Sequence, residues 1–115
     1  MSSPGESQNK NNNIPKVMGD DEIKSRVKQI PGWNIVIVDQ IPHLQKHYKF
    51  NNFVEALEFT NAIGTISEAQ GHHPLIELTW GKVTVSWWTH DIGGLNENDF
   101  LMAAKTNGIF QEFKP

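Results

Sequence analysis

Residues 71–90, GHHPLIELTWGKVTVSWWTH, predict a β-hairpin directly after a histidine pair. Residues 75–80 and 82–90 are rich in β-branched and aromatic side chains, and Gly81 between them allows a tight turn. Successive side chains of a strand point to opposite faces. One face of the second strand therefore carries Val83, Val85 and Trp87, and the other carries Thr84, Ser86, Trp88 and His90.

The same hairpin predicts where three of the five histidines meet. Antiparallel pairing places Leu75, at the start of the first strand, next to the end of the second strand. We therefore expect the His72-His73 turn and His90 to be neighbours in space. If helices cover the apolar face of the hairpin, His90 lies on the uncovered side of the sheet.

Further elements flank this hairpin on both sides, and apolar residues at spacings of three and four predict helices. The first predicted helix is capped by Asp20 or Asp21 and stopped by Pro31-Gly32, and strands are predicted at residues 33–39 and 43–50. A second helix is capped by Asn51 or Asn52 and ends at Gln70 before Gly71, and a last helix is capped by Asn96. The inward faces of the two later helices are predicted to carry Phe53, Ala56, Phe59, Ile63 and Ile66, and then Phe100, Ala103 or Ala104, and Phe110. The order α-β-β-α-β-β-α predicts an α+β fold, a two-layer sandwich in which a four-stranded antiparallel sheet carries three helices on one face.

Length and composition limit the number of domains and the class of protein. A chain of 115 residues with 37% hydrophobic and 20% charged residues predicts one globular domain. Residues 1–16 are rich in Ser, Asn and Gln and are predicted to be a disordered tail, which leaves residues 17–115 as the domain. No signal peptide is visible, and no apolar run approaches the roughly 20 residues of a membrane helix. We therefore expect a soluble protein with no membrane partner.

Charge and cysteine content exclude further classes. The formal net charge is -3, and Arg26 is the one arginine among ten basic residues, which argues against direct binding of nucleic acid. The sequence has no cysteine, so disulfides, thiol catalysis and cysteine metal sites are excluded. A reducing cytoplasm is compatible with this composition.

Three imidazoles at one rim can act as acids and bases, since the ordinary pKa of histidine is about 6.5. Glu68, one helical turn before His72, and Asp99, in the first turn of the last helix, can join them. Structural interpretations stay open, because a histidine pair after a helix commonly caps it and an aspartate is typical of a helix N-terminus. His43 and His47 lie in another strand and are interpreted as solvated residues.

A zinc site is the alternative to acid–base chemistry, because three histidines and a carboxylate are a zinc ligand set. Adjacent His72 and His73 project differently in an extended turn, and no helix carries a histidine-based ligand pair at metal-binding spacing, so we predict no metal. A tryptophan can stack on a planar heterocycle, although packing in the core is its commoner role. Trp33, which follows Pro31-Gly32 at a strand start, is the best stacking candidate.

Many of these residues follow the spacing of one sequence motif. Its members are Glu68, His72-His73-Pro74, Trp80, Thr89-His90, Gly94-Leu95 and Asp99. In the spacing of this motif, and over residues 19–113, the chain resembles the pterin-4a-carbinolamine dehydratase family. Gly32-Trp33 is similar to the Gly-Trp pair at the family's first strand, and the predicted order of elements is also the family's order.

The resemblance implies a lyase that dehydrates 4a-hydroxytetrahydropterin to quinonoid dihydropterin, in the recycling of tetrahydrobiopterin. It implies His72, His73 and His90 as the catalytic set, with His72 and His90 exchanging protons and His73 binding the pterin. It implies no cofactor and no metal. The substrate-binding residues would be Trp33, Glu68, Pro74, Thr89, Asp91 and Ile92, and Asp99 would orient a histidine.

The resemblance also implies partners for the protein. Family members are commonly dimers or tetramers, so we expect a homodimer or homotetramer, and the product would feed aromatic amino acid hydroxylases. In animals the family has a second role as a dimerisation cofactor of a homeodomain transcription activator. A protein-binding module for a transcription factor is therefore the alternative function. The expected compartment is the cytoplasm, with the nucleus as a second one.

Overall fold

The computed structural model describes residues 16–113, so the predicted tail lies outside the described residues except for Lys16. The helices are α1 (Asp20–Val27), α2 (Phe53–Gln70) and α3 (Glu97–Phe110), and the strands are β1 (Asn34–Val38), β2 (Ile41–Lys49), β3 (Leu75–Leu78) and β4 (Lys82–Trp87). Two short 3-10 turns, His90–Ile92 and Gln111–Phe113, precede and follow α3. The predicted order of helices and strands is confirmed.

All four strands form one antiparallel sheet in the order β1-β2-β4-β3. β1 pairs with β2 and β3 pairs with β4, and the two hairpins join because β2 also pairs with β4. In this register Leu44 pairs with Trp87, and Leu75 pairs with Ser86. The second pairing brings the start of β3, and with it the residues that precede β3, to the end of β4.

The core lies between one face of this sheet and the helices. That face carries Leu44, Tyr48, Val83, Val85 and Trp87, each at most 1% exposed. Phe59 and Ile63 of α2 and Ala103 of α3 are fully buried in the same cluster. Complete burial of one such large side chain stabilises the fold by roughly 1.5–3 kcal/mol. The predicted α+β sandwich is confirmed, and within residues 16–113 no helix is long and apolar enough to cross a membrane.

The two longer helices begin and end at the predicted signals. Asn52 caps α2, where its side chain accepts a hydrogen bond from the Glu55 amide at 2.8 Å. Gly71 ends α2 in the left-handed region, with φ 66°, which glycine adopts without a Cβ clash. Asn96 caps α3 in a capping box whose second member is the side chain of Asp99.

Two predictions about the helices are wrong. Gly19 is the N-cap of α1, and Asp20 and Asp21 lie in the first turn, where their charges favour the helix dipole without capping it. Phe53 is 43% exposed, because it opens α2 ahead of the buried stripe that starts at Ala56.

Both strands of the second hairpin end earlier than predicted. β3 ends at Leu78, and β4 ends at Trp87 instead of reaching His90. The reason at β4 is an isolated bridge in which the Thr89 amide donates to the Gly94 carbonyl at 2.9 Å. This bridge closes a tight loop, so His90 begins a 3-10 turn and leaves the strand.

The interpretation of His43 as a solvated residue is also wrong. His43 is only 6% exposed, although it lies on the sheet face opposite the core, because the ring of Trp88 covers it. His47, farther along β2, is exposed as expected, and its Nδ1 lies 2.7 Å from the Thr84 hydroxyl oxygen.

Candidate active site

The centre of the candidate site is Asp99, whose carboxylate is completely buried in the first turn of α3. Its Oδ1 lies 2.6 Å from Nε2 of His72. Its Oδ2 accepts hydrogen bonds from the Thr89 hydroxyl at 2.8 Å and from the Asn96 amide at 3.0 Å. A buried carboxylate is costly unless donors surround it, and here three donors do so. One side chain therefore caps a helix and holds a candidate catalytic residue.

His72 is held in one orientation from two sides. Its ring stacks on Trp87, with 5.5 Å between ring centroids and 12° between ring planes, and 17% of its side chain is exposed. Because the carboxylate of Asp99 can only accept, Nε2 of a neutral His72 carries the hydrogen. Its Nδ1 then keeps a lone pair, so His72 has the protonation pattern of a general base.

His73 belongs to a separate and more exposed pair. Its Nε2 lies 2.9 Å from Oε1 of Glu68, and the two side chains are 63% and 84% exposed. Solvent screens such a pair, so it contributes little to stability. Both side chains are accessible to a ligand that reaches this rim.

His90 opens the 3-10 turn after β4, and Gly93 ends that turn with φ 61°. The His90 ring contacts the ring of Trp88, with 4.6 Å between centroids and a tilt of 42°. The side chain of His90 is exposed. Glycine adopts a positive φ without a Cβ clash, so Gly93 allows a tight loop, and this loop places His90 at the end of the sheet.

Asp99 connects the histidine pair to the loop of His90. His72 and Thr89 bind opposite oxygens of the Asp99 carboxylate, and Thr89 is the residue directly before His90. The remaining candidate residues flank these groups in the chain. Pro74 and Ile92 are half-buried, and Asp91 is exposed.

A small cavity adjoins His72 at the junction of α2 and α3. It has a volume of about 150 Å³, and its lining includes Gly71, His72, Asn98 and Lys105. His72 can therefore be reached from this cavity. In the part of the chain that the structure describes, no three His, Asp or Glu side chains converge as a metal ligand set.

The structure does not place Trp33 as a stacking surface. Trp33 is 5% exposed, its indole N–H donates to Oδ1 of Asn107 at 3.1 Å, and its ring packs edge-on against Tyr48. Asn107 lies two turns of α3 away from Asp99, so Trp33 packs at the far end of that helix from His72. The predicted role of Trp33 in binding a heterocycle is therefore not supported, because its ring faces are occupied by the core.

Sequence reasoning missed the pair of His43 and Trp88. Their rings stack with 3.8 Å between centroids and 1° between planes. Burial lowers the pKa of His43, and a positive charge on His90 lowers it further, whereas Asp39 and Asp99 act in the opposite direction. The alternation of side chains along β2 predicts that His43 lies on the face opposite the core, but its contact with Trp88 depends on the register between the two hairpins.

Comparisons with known proteins identify the family of this chain. The protein-family profile described as "Pterin 4 alpha carbinolamine dehydratase" matches residues 16–109. The chain is 54% identical over 92 residues to a protein of Microcystis aeruginosa (strain NIES-843 / IAM M-2473), covering 80% of this chain and 79% of that protein. It is 50% identical over 91 residues to a protein of Syntrophotalea carbinolica (strain DSM 2380 / NBRC 103641 / GraBd1), covering 79% and 81%. Both relatives carry the name "Putative pterin-4-alpha-carbinolamine dehydratase".

A solved structure from Brucella melitensis, described as a "transcriptional coactivator/pterin dehydratase", is similar to this fold. The TM-score is 0.74 at 28% sequence identity, and the match covers 82% of this chain and 98% of the solved one. The profile match extends over nearly all described residues and includes every histidine of the candidate site. This chain belongs to the pterin-4a-carbinolamine dehydratase family.

Proposed function

We propose that the protein is a 4a-hydroxytetrahydropterin dehydratase that works by histidine acid–base catalysis. The observation that carries the proposal is the bond between His72 and the buried carboxylate of Asp99, which also binds the residue before His90. This bond prepares one imidazole to take up a proton, and the exposed His90 lies at the same end of the sheet. Membership of the family supplies the substrate class.

The proposed reaction balances with two proton transfers. The bond between C4a and the hydroxyl oxygen breaks, and His90 in its protonated form gives a proton to the departing oxygen, which leaves as water. His72 takes the proton from N5 on its Nδ1, and the electron pair of that N–H bond forms the C4a–N5 double bond of the quinonoid dihydropterin. The carboxylate of Asp99 stabilises the positive charge that His72 then carries.

The remaining candidate residues bind and orient the pterin in this proposal. His73 and Glu68 form an exposed pair that can hydrogen-bond the polar edges of the ring. In the same proposal, the wall of the pterin site consists of Pro74, Thr89, Asp91 and Ile92. The reaction needs no redox step, so the proposal includes no organic cofactor and no metal. We further propose a cytoplasmic role in the recycling of tetrahydrobiopterin for aromatic amino acid hydroxylases.

A turnover assay tests the proposal. Freshly generated 4a-hydroxytetrahydropterin is mixed with the protein, and quinonoid dihydropterin is followed by its absorbance over short times. The unaided dehydration is subtracted from every trace. We expect turnover that is saturable in substrate and proportional to protein. Rates equal to the background at all protein concentrations would contradict the proposed function.

A protein-binding role is the second candidate function, and exposed apolar side chains favour it. Val54 and Leu57 of α2 are 62% and 39% exposed, and Leu101 of α3 is 48% exposed. The similar Brucella melitensis structure is described as a coactivator as well as a dehydratase. We propose self-association through such a surface, as a homodimer or homotetramer. Capture of a transcription factor by this protein in the absence of pterin would support the alternative role.

A further inference from the structure

The starting observation is a pair of stacked rings on the sheet face opposite the helices. His43 of β2 and Trp88, the residue after β4, lie 3.8 Å apart with ring planes 1° from parallel. The pairing of Leu44 with Trp87 makes their chain neighbours His43 and Trp88 face each other on this side. The pairing of β2 with β4 therefore holds both rings against each other.

The stacked pair contacts a residue of the candidate site. The imidazole of His90 lies against Trp88, at 4.6 Å between centroids. His90 itself sits in a three-residue 3-10 turn that Gly93 ends, and its side chain is exposed. An exposed side chain on so short a turn has many accessible rotamers unless a neighbour restricts it. Trp88 is the ring that supplies this restriction within the described residues.

We propose that His43 and Trp88 form a clamp that positions His90 for proton transfer. The inference rests on the proposed function, since it assumes that His90 exchanges a proton with the substrate. A proton donor must be held close to its productive geometry, and second-layer contacts usually hold it there. In the clamp, His43 stacks on the indole of Trp88 and fixes its position, and the indole limits the orientation of His90. His43 is a positioning residue because it acts through Trp88.

The charges around His43 suit this role. His90, Asp39 and Asp99 are the ionisable groups that act on its imidazole. Burial and the charge of His90 both disfavour a proton on His43, so the clamp is uncharged at neutral pH. A neutral clamp leaves His90 free to carry a proton without a second positive charge beside it.

Kinetic constants of matched variants test the clamp. Trp88→Ala should lower kcat by about tenfold or more with a smaller effect on KM, because it releases a proton-transfer group and removes no assumed substrate contact. Trp88→Phe keeps an aromatic ring and should restore most of kcat. His43→Ala should also lower kcat, because it removes the ring on which Trp88 stacks. The double variant should lose no more than Trp88→Ala alone, because both residues act through one contact.

The chain offers a matched control in His47. It lies in the same strand as His43 and on the same face, and it contacts Thr84 instead of Trp88. His47→Ala should leave kcat and KM unchanged. If the losses of His43→Ala and Trp88→Ala multiply in the double variant, or if Trp88→Phe is as poor as Trp88→Ala, the clamp is wrong.

A second measurement does not depend on activity. The ring protons of His90 should show a ring-current shift from Trp88 in the NMR spectrum of the full chain. Trp88→Ala should abolish this shift, and His43→Ala should change it, because His43 stacks on the indole that lies against His90. An unchanged His90 signal in His43→Ala would overturn the clamp. If the wild type shows no turnover, the proposed function fails, and the NMR result still decides whether His43 orients His90 through Trp88.

Discussion

Asp99 binds His72 through one carboxylate oxygen, at 2.6 Å, while its other oxygen caps the helix on which it lies. The capping box and the candidate active site are therefore one hydrogen-bonded unit. The orientation of His72 depends on the integrity of the first turn of α3. A change at Asp99 should affect stability and catalysis together.

Replacement of Asp99 tests this coupling. Asp99→Asn keeps the shape but turns one acceptor oxygen into a donor, so at least one buried donor loses its partner. We expect a loss of about 1–3 kcal/mol in the free energy of unfolding, measured by urea titration. We also expect kcat to fall at least tenfold, because His72 loses the negative charge that stabilises its protonated form.

The matched control for Asp99 is Glu97, which lies in the same helical turn but is 58% exposed and forms an ion pair with Arg26. That pair lowers the pKa of Glu97, yet solvent screens it. Glu97→Gln should change the free energy of unfolding by no more than about 1 kcal/mol and leave kcat unchanged. Equal effects of the two variants would contradict the coupling.

The division of labour among the histidines can be measured by alanine variants. His72→Ala and His90→Ala should each lower kcat by about 100-fold or more, because each removes a proton-transfer group. His73→Ala should raise KM more than it lowers kcat, because His73 is proposed to bind the pterin. The control is His47→Ala, whose fold is checked by circular dichroism. His43 cannot serve as a control, because its ring stacks on Trp88 beside His90.

Trp33 should contribute to stability and not to substrate binding. Its indole N–H, the Tyr48 hydroxyl and the Lys46 ammonium all donate to Oδ1 of Asn107, at 3.1, 2.5 and 2.8 Å. Burial raises the pKa of Tyr48, so its hydroxyl stays a donor. Asn107→Ala removes the acceptor of the Trp33 indole and of the buried Tyr48 hydroxyl, and it should lower the free energy of unfolding by about 1–3 kcal/mol.

The kinetic arm of this prediction compares two tryptophans. Trp33→Phe should lower the midpoint of urea unfolding and leave KM unchanged, since Trp33 is 5% exposed. Trp80→Phe is the control, because Trp80 is 67% exposed on the β3–β4 turn and should affect neither quantity. A marked rise in KM for Trp33→Phe at full stability would restore its role in binding.

The lowered pKa of His43 predicts a pH dependence of stability. As the pH falls through about 6.5, His43 takes up a proton in the unfolded chain before it does so in the folded one. The free energy of unfolding should therefore decrease over this range, and the loss ends once the pH is below the folded pKa. His43→Gln cannot titrate, so between pH 7.5 and pH 5.5 it should lose less stability than the wild type. An identical slope in both proteins would contradict the prediction.

Self-association is testable by sedimentation at micromolar concentration. We expect a species at least twice the 13.0 kDa of the chain, because Val54 and Leu57 leave an apolar surface on α2. Val54→Asp should weaken association, whereas Ser25→Asp, at an exposed position of α1, should not. A wild type that sediments only as a monomer would refute self-association.

The elements of this fold could be predicted because their signals are local. Asn52 and Gly71 directly flank α2 and mark its ends, and Gly81 marks the turn between β3 and β4. The end of β4 could not be predicted, because a bridge between Thr89 and Gly94 competes with continued pairing. Side-chain patterns alone cannot show which of the two backbone pairings is more stable.

The order of elements, the histidine-rich rim and the resemblance that points to pterin chemistry could be predicted from the sequence, since each depends on residues near one another in the chain. The burial of Trp33 beside Asn107 and the stacking of His43 on Trp88 next to His90 depend on tertiary packing and could not be predicted. The contacts of Trp33 with Asn107 and of His43 with Trp88 join residues more than 40 positions apart, and they follow from the packing of α3 and from the register of β2 on β4. Long-range register is set by the whole core, so no single segment could have revealed it.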